Sequence, residues 1–305
     1  NADFFYNILE QCKQMNLLHL TISGGEPMLH KHFIDFLTKC RENNFSVNVL
    51  SNLTILDDKI IKEMKSNKLL GVQTSLYSME SSIHDSITNV KGSFEKTKGA
   101  ILKLAENGIA VQISCPIIKQ NKNGYQEIIK WASELGINVG DDFNIIAKYN
   151  HSTDNLNCRL SINEVKKLIR EKFKESPDYL KKIKTEAENN TLINPDDYVC
   201  SVCNSSICIS EKGDVYPCAG WDDYIIGNLR DTSLKEIWDK SEKVQYLRNL
   251  RRKEFPKCTS CPSKKFCTMC MVRNANESST GDPLEMNAYF CKIANLLRMF
   301  ASTNR

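Results

Sequence analysis

The sequence predicts an α/β fold in which a parallel sheet, open or curled into a barrel, occupies the first half and a small cysteine-rich domain closes the chain. Three observations carry this. Short apolar strands alternate with amphipathic helices up to about residue 149; one face of those strands is polar in strand after strand; and nine of the thirteen cysteines lie beyond residue 199. Repeated strand–helix units build parallel sheets.

The elements follow in order. "FFYNILEQC" (4–12) reads as a helix with Phe5, Ile8, Leu9 and Cys12 on one stripe. "LHLTIS" (18–23) reads as a strand, with Leu18, Leu20 and Ile22 on one face and His19, Thr21 and Ser23 on the other. A helix follows in "KHFIDFLTKC" (31–40), where Phe33, Phe36, Leu37 and Cys40 recur at i, i+3, i+4, i+7. "SVNVLS" (46–51), "GVQTSLY" (71–77), "IAVQISC" (109–115) and "FNIIAKY" (143–149) supply four further strands. In the third strand Val72, Thr74 and Leu76 oppose Gln73, Ser75 and Tyr77; in the fourth, Ile109, Val111, Ile113 and Cys115 oppose Gln112 and Ser114. Residues 161–190 are charged and helical, opened by a capping box with Ser161 as N-cap and Glu164 at N3; their lysines read as a solvated face. The expected boundaries are a barrel over 1–155, a helical linker over 156–195 and the cysteine-rich domain over 196–305.

Strands of an ordinary parallel sheet are apolar on both faces. The polar face here predicts a lumen that holds a polar ligand. Cys12, Cys40 and Cys115 fall on apolar faces and read as buried, inert thiols; Cys158, in a polar loop, carries no assigned role.

Composition narrows the function classes. The 305 residues are 41% hydrophobic and 26% charged, which suits one large or two moderate domains. A net charge of +4 with no basic block interleaved with aromatics argues against nucleic acid. No apolar run reaches the ~18 residues of a membrane span, so a cytoplasmic protein is expected. The chain starts at Asn1 rather than Met, and the expectation is a fragment whose targeting segment, if any, is unseen. An odd number of cysteines gathered at one end of a long chain fits metal ligation in a reducing compartment better than disulfides. The run "KCTSCPSKKFCTMC" (257–270) has the spacing C-x2-C-x5-C-x2-C. On spacing alone, four thiolates suit a structural zinc ion or an iron–sulfur cubane equally.

At the end of the first strand stands "ISGGEP" (22–27). Gly24 and Gly25 let a ligand approach the backbone, and Pro27 presets helix entry. Glu26 is thereby held at the C-terminal end of a strand, where α/β folds bind ligands, and can receive a cation such as an ammonium group.

With the cysteine-rich tail, this stretch resembles the radical S-adenosylmethionine (SAM) enzymes that carry a C-terminal SPASM domain. The resemblance covers essentially the whole chain and implies a partial (β/α)6 TIM-like barrel followed by a small iron–sulfur domain. It implies that Gly24, Gly25 and Glu26 bind the methionyl amino group of SAM. "SN" at 51–52 matches a Thr/Ser-Asn-Gly signature, with Leu53 in place of the glycine, and adds Asn52. Ser75, Gln112 and Ser114 fall where the family contacts the SAM carboxylate and ribose. The tail reads C-x12-G-x4-C from Cys200, or C-x9-G-x4-C from Cys203, through Gly213 to Cys218. Cys258, Cys261, Cys267, Cys270 and Cys291 follow; the last interval of the run is x2, where the family has x3.

The resemblance favours iron–sulfur over zinc. It implies two auxiliary [4Fe–4S] clusters, one on Cys200, Cys203, Cys218 and Cys270, the other on Cys258, Cys261, Cys267 and Cys291. Cys208, flanked by Ile207 and Ile209 in "SSICIS", is left over. The family's SAM-cleaving cluster sits on a C-x3-C-x2-C loop that this sequence lacks; that cluster is expected from an N-terminal part absent from this chain. The implied activity is that of an oxidoreductase. One electron enters SAM, methionine leaves, and the 5′-deoxyadenosyl radical abstracts a hydrogen from substrate. "SLYSMESSIHDSITNVKGSFEKT" (75–97) is similar to the corresponding segment of peptide maturases, with Thr88-Asn89 where many relatives have Arg-Gly or Thr-Gly. The expected function is therefore formation of a thioether or carbon–carbon crosslink in a ribosomal precursor peptide, with a flavodoxin- or ferredoxin-type electron donor. The residues name no catalytic base. One alternative is an anaerobic sulfatase-maturase-like oxidase, a group with an Asp directly after the cysteine matching Cys218; here Ala219 follows, and Asp222 is the nearest acid. A zinc-stabilised, non-enzymatic binding module is the other.

Overall fold

The computed structural model describes residues 1–189 and 194–303, divided into two compact units, Asn1–Asn144 and Ile145–Arg305. The first unit runs α1 (Ala2–Gln14), β1 (His19–Ile22), α2 (Phe33–Glu42), β2 (Ser46–Leu50), α3 (Asp58–Ser66), β3 (Gly71–Ser75), α4 (Ser81–Thr88), α5 (Ser93–Glu106), β4 (Val111–Ser114), α6 (Tyr125–Glu134) and β5 (Asn138–Gly140). The five strands form one sheet in the order β1-β2-β3-β4-β5, every pair parallel. Strands that pair in sequence order, joined by right-handed crossovers, place all their helices on one face. The other face is left bare, as in a barrel segment.

Register makes the two faces chemically distinct. Ile22, Val49, Val72 and Val111 stand side by side, as do Thr74, Ile113 and Val139, and most of these are buried. The intervening row is Leu50, Gln73, Gln112 and Asn138, followed by Ser75, Ser114 and Gly140. Apart from Leu50 and Gly140, this second face is polar, and it is half-buried to exposed, as the alternation in the sequence requires.

Two strand expectations need correction. Leu18 is 77% exposed, because it lies one residue ahead of the ladder, on the rim of the sheet. The "FNIIAKY" segment is not a strand; the fifth strand is the shorter Asn138–Gly140. Carbonyls that a ladder would use accept side-chain donors instead: Ile145 from Arg159, Ile146 from Asn155 and Ala147 from Asn276. Apolar alternation marked the segment, but its backbone partners are not strands.

Cys12 and Cys40 are buried and close enough to interact across α1 and α2, and burial pushes them up to about 11 and about 12. Cys115 is equally buried. All three are core residues.

The second unit holds α7 (Ile162–Glu175), α8 (Pro177–Asn189), β6 (Cys208–Ile209), β7 (Asp214–Tyr216), β8 (Gly227–Asn228), α9 (Leu234–Lys240), α10 (Glu242–Asn249), α11 (Pro256–Thr259), α12 (Met271–Glu277) and α13 (Ala288–Thr303). Position 190, the end of the predicted helical stretch, lies outside the described residues. The capping box at α7 forms: Glu164 N–H donates to Ser161 Oγ at 3.3 Å, and Ser161 N–H to the Glu164 carboxylate at 2.8 Å. Strands β6, β7 and β8 make a small antiparallel sheet. No helix among the described residues is long and apolar enough to cross a membrane.

Candidate functional site

In the first unit the strand ends open into a cleft of about 480 Å³. Ser23, Gly24 and Gly25 line it from β1, Ser51 and Asn52 from β2, Ser75 and Tyr77 from β3, and Ser114 from β4. Of the predicted SAM-contacting residues, Gly24, Gly25, Asn52, Ser75 and Ser114 therefore share one wall. Gln112 and Glu26 do not line it. Gln112 is exposed, paired beside Gln73 on the polar face.

Gly24 has φ +151, which L side chains rarely adopt, and a Cβ on Gly24 or Gly25 would meet no atom within 4 Å. The glycines thus keep open the space a ligand would fill. Behind them Glu26 joins two loops. Its Oε1 accepts from Met28 N–H at 3.1 Å and Ser51 Oγ at 2.8 Å; its Oε2 accepts from Asn52 N–H at 2.9 Å. These three donors are neutral, and a carboxylate offers about four acceptor sites. Charge and one site remain for an ammonium group. Asn52 is held in turn, its side chain accepting from Thr54 and its carbonyl from Thr97 Oγ1 at 2.9 Å. Leu53 adopts φ +62, the conformation a glycine in that signature would take, and is buried to 1%.

Other lining residues had no site role assigned from the sequence: Thr74, His84, Thr88, Ser93 and Thr97. His84 is 1% exposed; its Nδ1 accepts from Tyr77 N–H at 3.2 Å, so the neutral ring carries its proton on Nε2. Burial lowers its pKa, with Asp85 opposing. Asp85 accepts from Phe94 and Gly92 N–H and from Ser93 Oγ, bonds that lower its own pKa and lock the corner between α4 and α5. Thr88 and Ser93 hydroxyls meet at 2.7 Å. Thr74 Oγ1 is buried with no partner, although its residue lines the cleft. The glycine cradle and the remaining carboxylate capacity fit a polar ligand with an ammonium group.

The second unit gathers its nine cysteines beyond residue 199 into two neighbourhoods. Cys258 lies in α11, Cys261 and Cys267 flank the short Lys264–Phe266 turn, and Cys291 lies in α13. Burial raises the pKa of Cys258, Cys267 and Cys291, and the thiols raise one another: Cys267 feels Cys291, Cys258 and Cys261 and is pushed up to about 11. Ser263 N–H donates to Cys261 Sγ at 3.4 Å, the kind of bond that orients a metal-bound thiolate. The resemblance assigns these four to one cluster.

Around Cys200 the grouping is less simple. Burial raises Cys200, with Cys270 and Cys218 raising it further and Arg252 opposing. Two further thiols stand near this group. Cys203 has φ +55, is fully buried, and interacts with Cys200 and Arg248. Cys208 pairs opposite Tyr216 across β6 and β7, on the side toward which Cys218 extends two residues further, and interacts with Cys218 and Asp222. Cys270 also borders the hollow lined by Cys258, Cys267 and Cys291.

Among the described residues no three His, Cys, Asp or Glu side chains stand close enough to grip one metal ion. A cubane demands less, because each thiolate binds a different iron at a corner and the sulfurs stay farther apart than around a single tetrahedral ion. Mutually destabilised thiols with cationic side chains nearby are a donor set that such a cluster would satisfy.

Two family models match: Radical SAM superfamily over residues 2–138, and SPASM, an iron–sulfur cluster-binding domain, over residues 200–262. An AdoMet-dependent heme synthase of Methanosarcina barkeri is 24% identical over 287 residues, covering 88% of this chain and 81% of that protein. The antilisterial bacteriocin subtilosin biosynthesis protein AlbA of Bacillus subtilis is 25% identical over 273 residues, 86% of this chain; the match spans 58% of AlbA, less than two thirds of its length. Among solved structures, Streptococcus suis SuiB bound to precursor peptide SuiA superposes with a TM-score of 0.71 at 18% identity, covering 95% of this chain and 69% of SuiB. That likeness establishes the fold.

Proposed function

Because the chain belongs to the radical SAM superfamily and carries a SPASM iron–sulfur cluster-binding domain, we propose that it is a peptide maturase, forming a thioether or carbon–carbon crosslink in a ribosomal precursor peptide. The carrying observation is the cleft at the strand ends, lined by Gly24, Gly25, Asn52, Ser75 and Ser114. Its volume of about 480 Å³ lies within the range of small-molecule sites. SAM and the clusters, when bound, supply the one-electron chemistry of hydrogen abstraction and uptake of the remaining electron.

The chain's own residues orient and enclose. Gly24 and Gly25 give a ligand access to the backbone, and Glu26 offers its remaining acceptor site to the methionyl ammonium group. Asn52, Ser75 and Ser114 present neutral polar groups along the same wall, with Gln112 beside them on the polar sheet face. Cys258, Cys261, Cys267 and Cys291 would hold one auxiliary cluster, and Cys200, Cys203, Cys218 and Cys270 the other. AlbA acts in bacteriocin biosynthesis and SuiB binds a precursor peptide; both support a peptide substrate.

A sulfatase-maturase-like oxidase is the second reading. Asp222, near Cys208, has its pKa raised by burial and by Asp223, which suits a proton acceptor.

The test is anaerobic incubation of the reconstituted natural gene product with its cognate precursor peptide, followed by tandem mass spectrometry. A product lighter by two hydrogens, with fragmentation suppressed between the bridged residues, is expected. A formylglycine aldehyde would favour the second reading. Haem formation, as named for the Methanosarcina relative, would overturn the peptide assignment.

A further inference from the structure

The protein surface around the second set of thiols is rich in basic residues. Residues 255–276 contain Lys257, Lys264, Lys265 and Arg273 and no acid; α13 adds Lys292 and Arg298, again with no acid. The six charges exceed the +4 of the whole chain, so the remainder is net acidic. The two stretches form one surface. α13 packs on the Lys264–Phe266 turn, and Arg298 Nε donates to Ser263 Oγ at 3.1 Å. Lys257, Lys264, Lys265 and Lys292 are exposed. Lys264 donates to the Thr259 carbonyl at 2.8 Å, a neutral acceptor that leaves its charge uncompensated.

Bases stand beside the neighbouring acids, as Arg252 and Lys253 do beside Glu254. α8, packed on the same turn, carries Asp178, Glu186 and Glu188 against Lys181, Lys182 and Lys184. Glu277, the last residue of α12, is paired with Arg159 at 2.6 Å. Within this basic field, Cys291 is the one exposed cysteine of the thirteen, whereas Cys258, Cys261 and Cys267 are half-buried.

We propose that this face, with Cys291 at its surface, docks a small acidic electron-carrier protein of the flavodoxin or ferredoxin kind. The proposal rests on the reading of Cys258, Cys261, Cys267 and Cys291 as cluster ligands. An exposed ligand brings the edge of the metal group to the surface, where a carrier can approach it. A field of one sign steers an oppositely charged partner and raises its on-rate by roughly 10–10³ at low salt. Encounters between redox proteins are small and weak, so charge rather than a large apolar contact suffices to orient them.

The experiment is calorimetric titration of the anaerobic, iron-loaded natural gene product with flavodoxin, at low and high ionic strength. The wild type is expected to bind measurably at low salt and to weaken steeply as salt rises. The variant Lys257→Glu/Lys264→Glu/Lys265→Glu should bind at least about tenfold more weakly at low salt. The Lys→Arg triple variant should bind like wild type. So should Lys59→Glu/Lys62→Glu/Lys65→Glu, a reversal of the same size on exposed positions of α3. Iron content and melting temperature are measured on every variant. Unchanged flavodoxin affinity in an iron-replete charge-reversed protein overturns the proposal. So does a variant that loses precursor-peptide binding while keeping flavodoxin. A wild type that takes up stoichiometric zinc and no iron instead fails the cluster reading on which the proposal rests.

Discussion

Glu26 accepts the backbone N–H of Asn52 at 2.9 Å, fastening the loop after β1 to the loop after β2. With the bonds to Met28 and Ser51, this gives the carboxylate a structural task besides the charge it offers a ligand. The two tasks separate by substitution. Glu26→Ala leaves part-buried donors unpaired and should destabilise the fold by about 1–3 kcal/mol. Glu26→Gln retains an acceptor oxygen and should lose less stability while losing the charge. Both variants should sharply reduce 5′-deoxyadenosine formation by the reconstituted natural gene product. Calorimetric melting beside product analysis checks this; wild-type turnover in Glu26→Gln would remove the carboxylate's charge from SAM binding.

Leu53 offers a second separation of terms. Its φ of +62 strains a branched side chain by about 1–2 kcal/mol, which glycine would relieve. Its side chain is 1% exposed, and deleting a buried leucine costs about 2–5 kcal/mol. Leu53→Gly should therefore destabilise the protein, and by less than Leu53→Ala, which keeps the strain as well as the cavity. Chemical denaturation of the two variants tests the order.

Much of this was readable before any coordinates. The polar sheet face followed from the alternation in "GVQTSLY" and "IAVQISC", because a period of two leaves one face for each set of side chains. The capping box at Ser161 followed from a four-residue pattern whose bonds are all local. What escaped was non-local. His84 and Asp85 sit in a helix whose sequence gives no hint that one lines the cleft and the other locks the next helix. "FNIIAKY" has a strand's alternation, but its carbonyls accept from Asn155, Arg159 and Asn276, the last far along the chain. The choice between Cys203 and Cys208 depends on a left-handed turn and a short strand pairing that spacing does not encode.

Those two thiols give a direct test. Two clusters correspond to about eight iron atoms per chain. Cys258→Ser or Cys291→Ser should lower the iron content by about half and leave the other cluster's spectrum. Whichever of Cys203→Ser and Cys208→Ser does the same identifies the fourth ligand beside Cys200, Cys218 and Cys270. Loss of all iron in Cys291→Ser would show that the two sites do not load independently.

His84 makes stability depend on pH. Burial lowers its folded pKa below the ordinary value near 6.5, so as pH falls the unfolded chain takes up the proton first. The neutral ring's contribution is complete above about pH 6.5 and is lost progressively below it, toward the lowered folded value. Asp85, whose pKa is lowered by the Phe94 and Gly92 N–H groups, adds a loss in the same direction at more acidic pH. His84→Gln should lower stability at neutral pH and flatten the decline just below pH 6.5. An unchanged slope there would exclude His84 as its source.

Thr74 separates stability from ligand binding. Its hydroxyl is buried without a partner, a condition that costs about 1–3 kcal/mol, yet the residue lines the cleft. Thr74→Val keeps the shape and the β-branched fit to the strand while removing the unpaired group. Without ligand, the variant should therefore melt higher than wild type. The hydroxyl belongs to the buried row with Ile113 and Val139, opposite the polar row of Gln73 and Ser75. The same change should therefore leave the rise in melting temperature that SAM produces undiminished, with both measurements taken on one iron-replete preparation. A higher melting temperature with a smaller stabilisation by SAM would instead place the hydroxyl against the ligand.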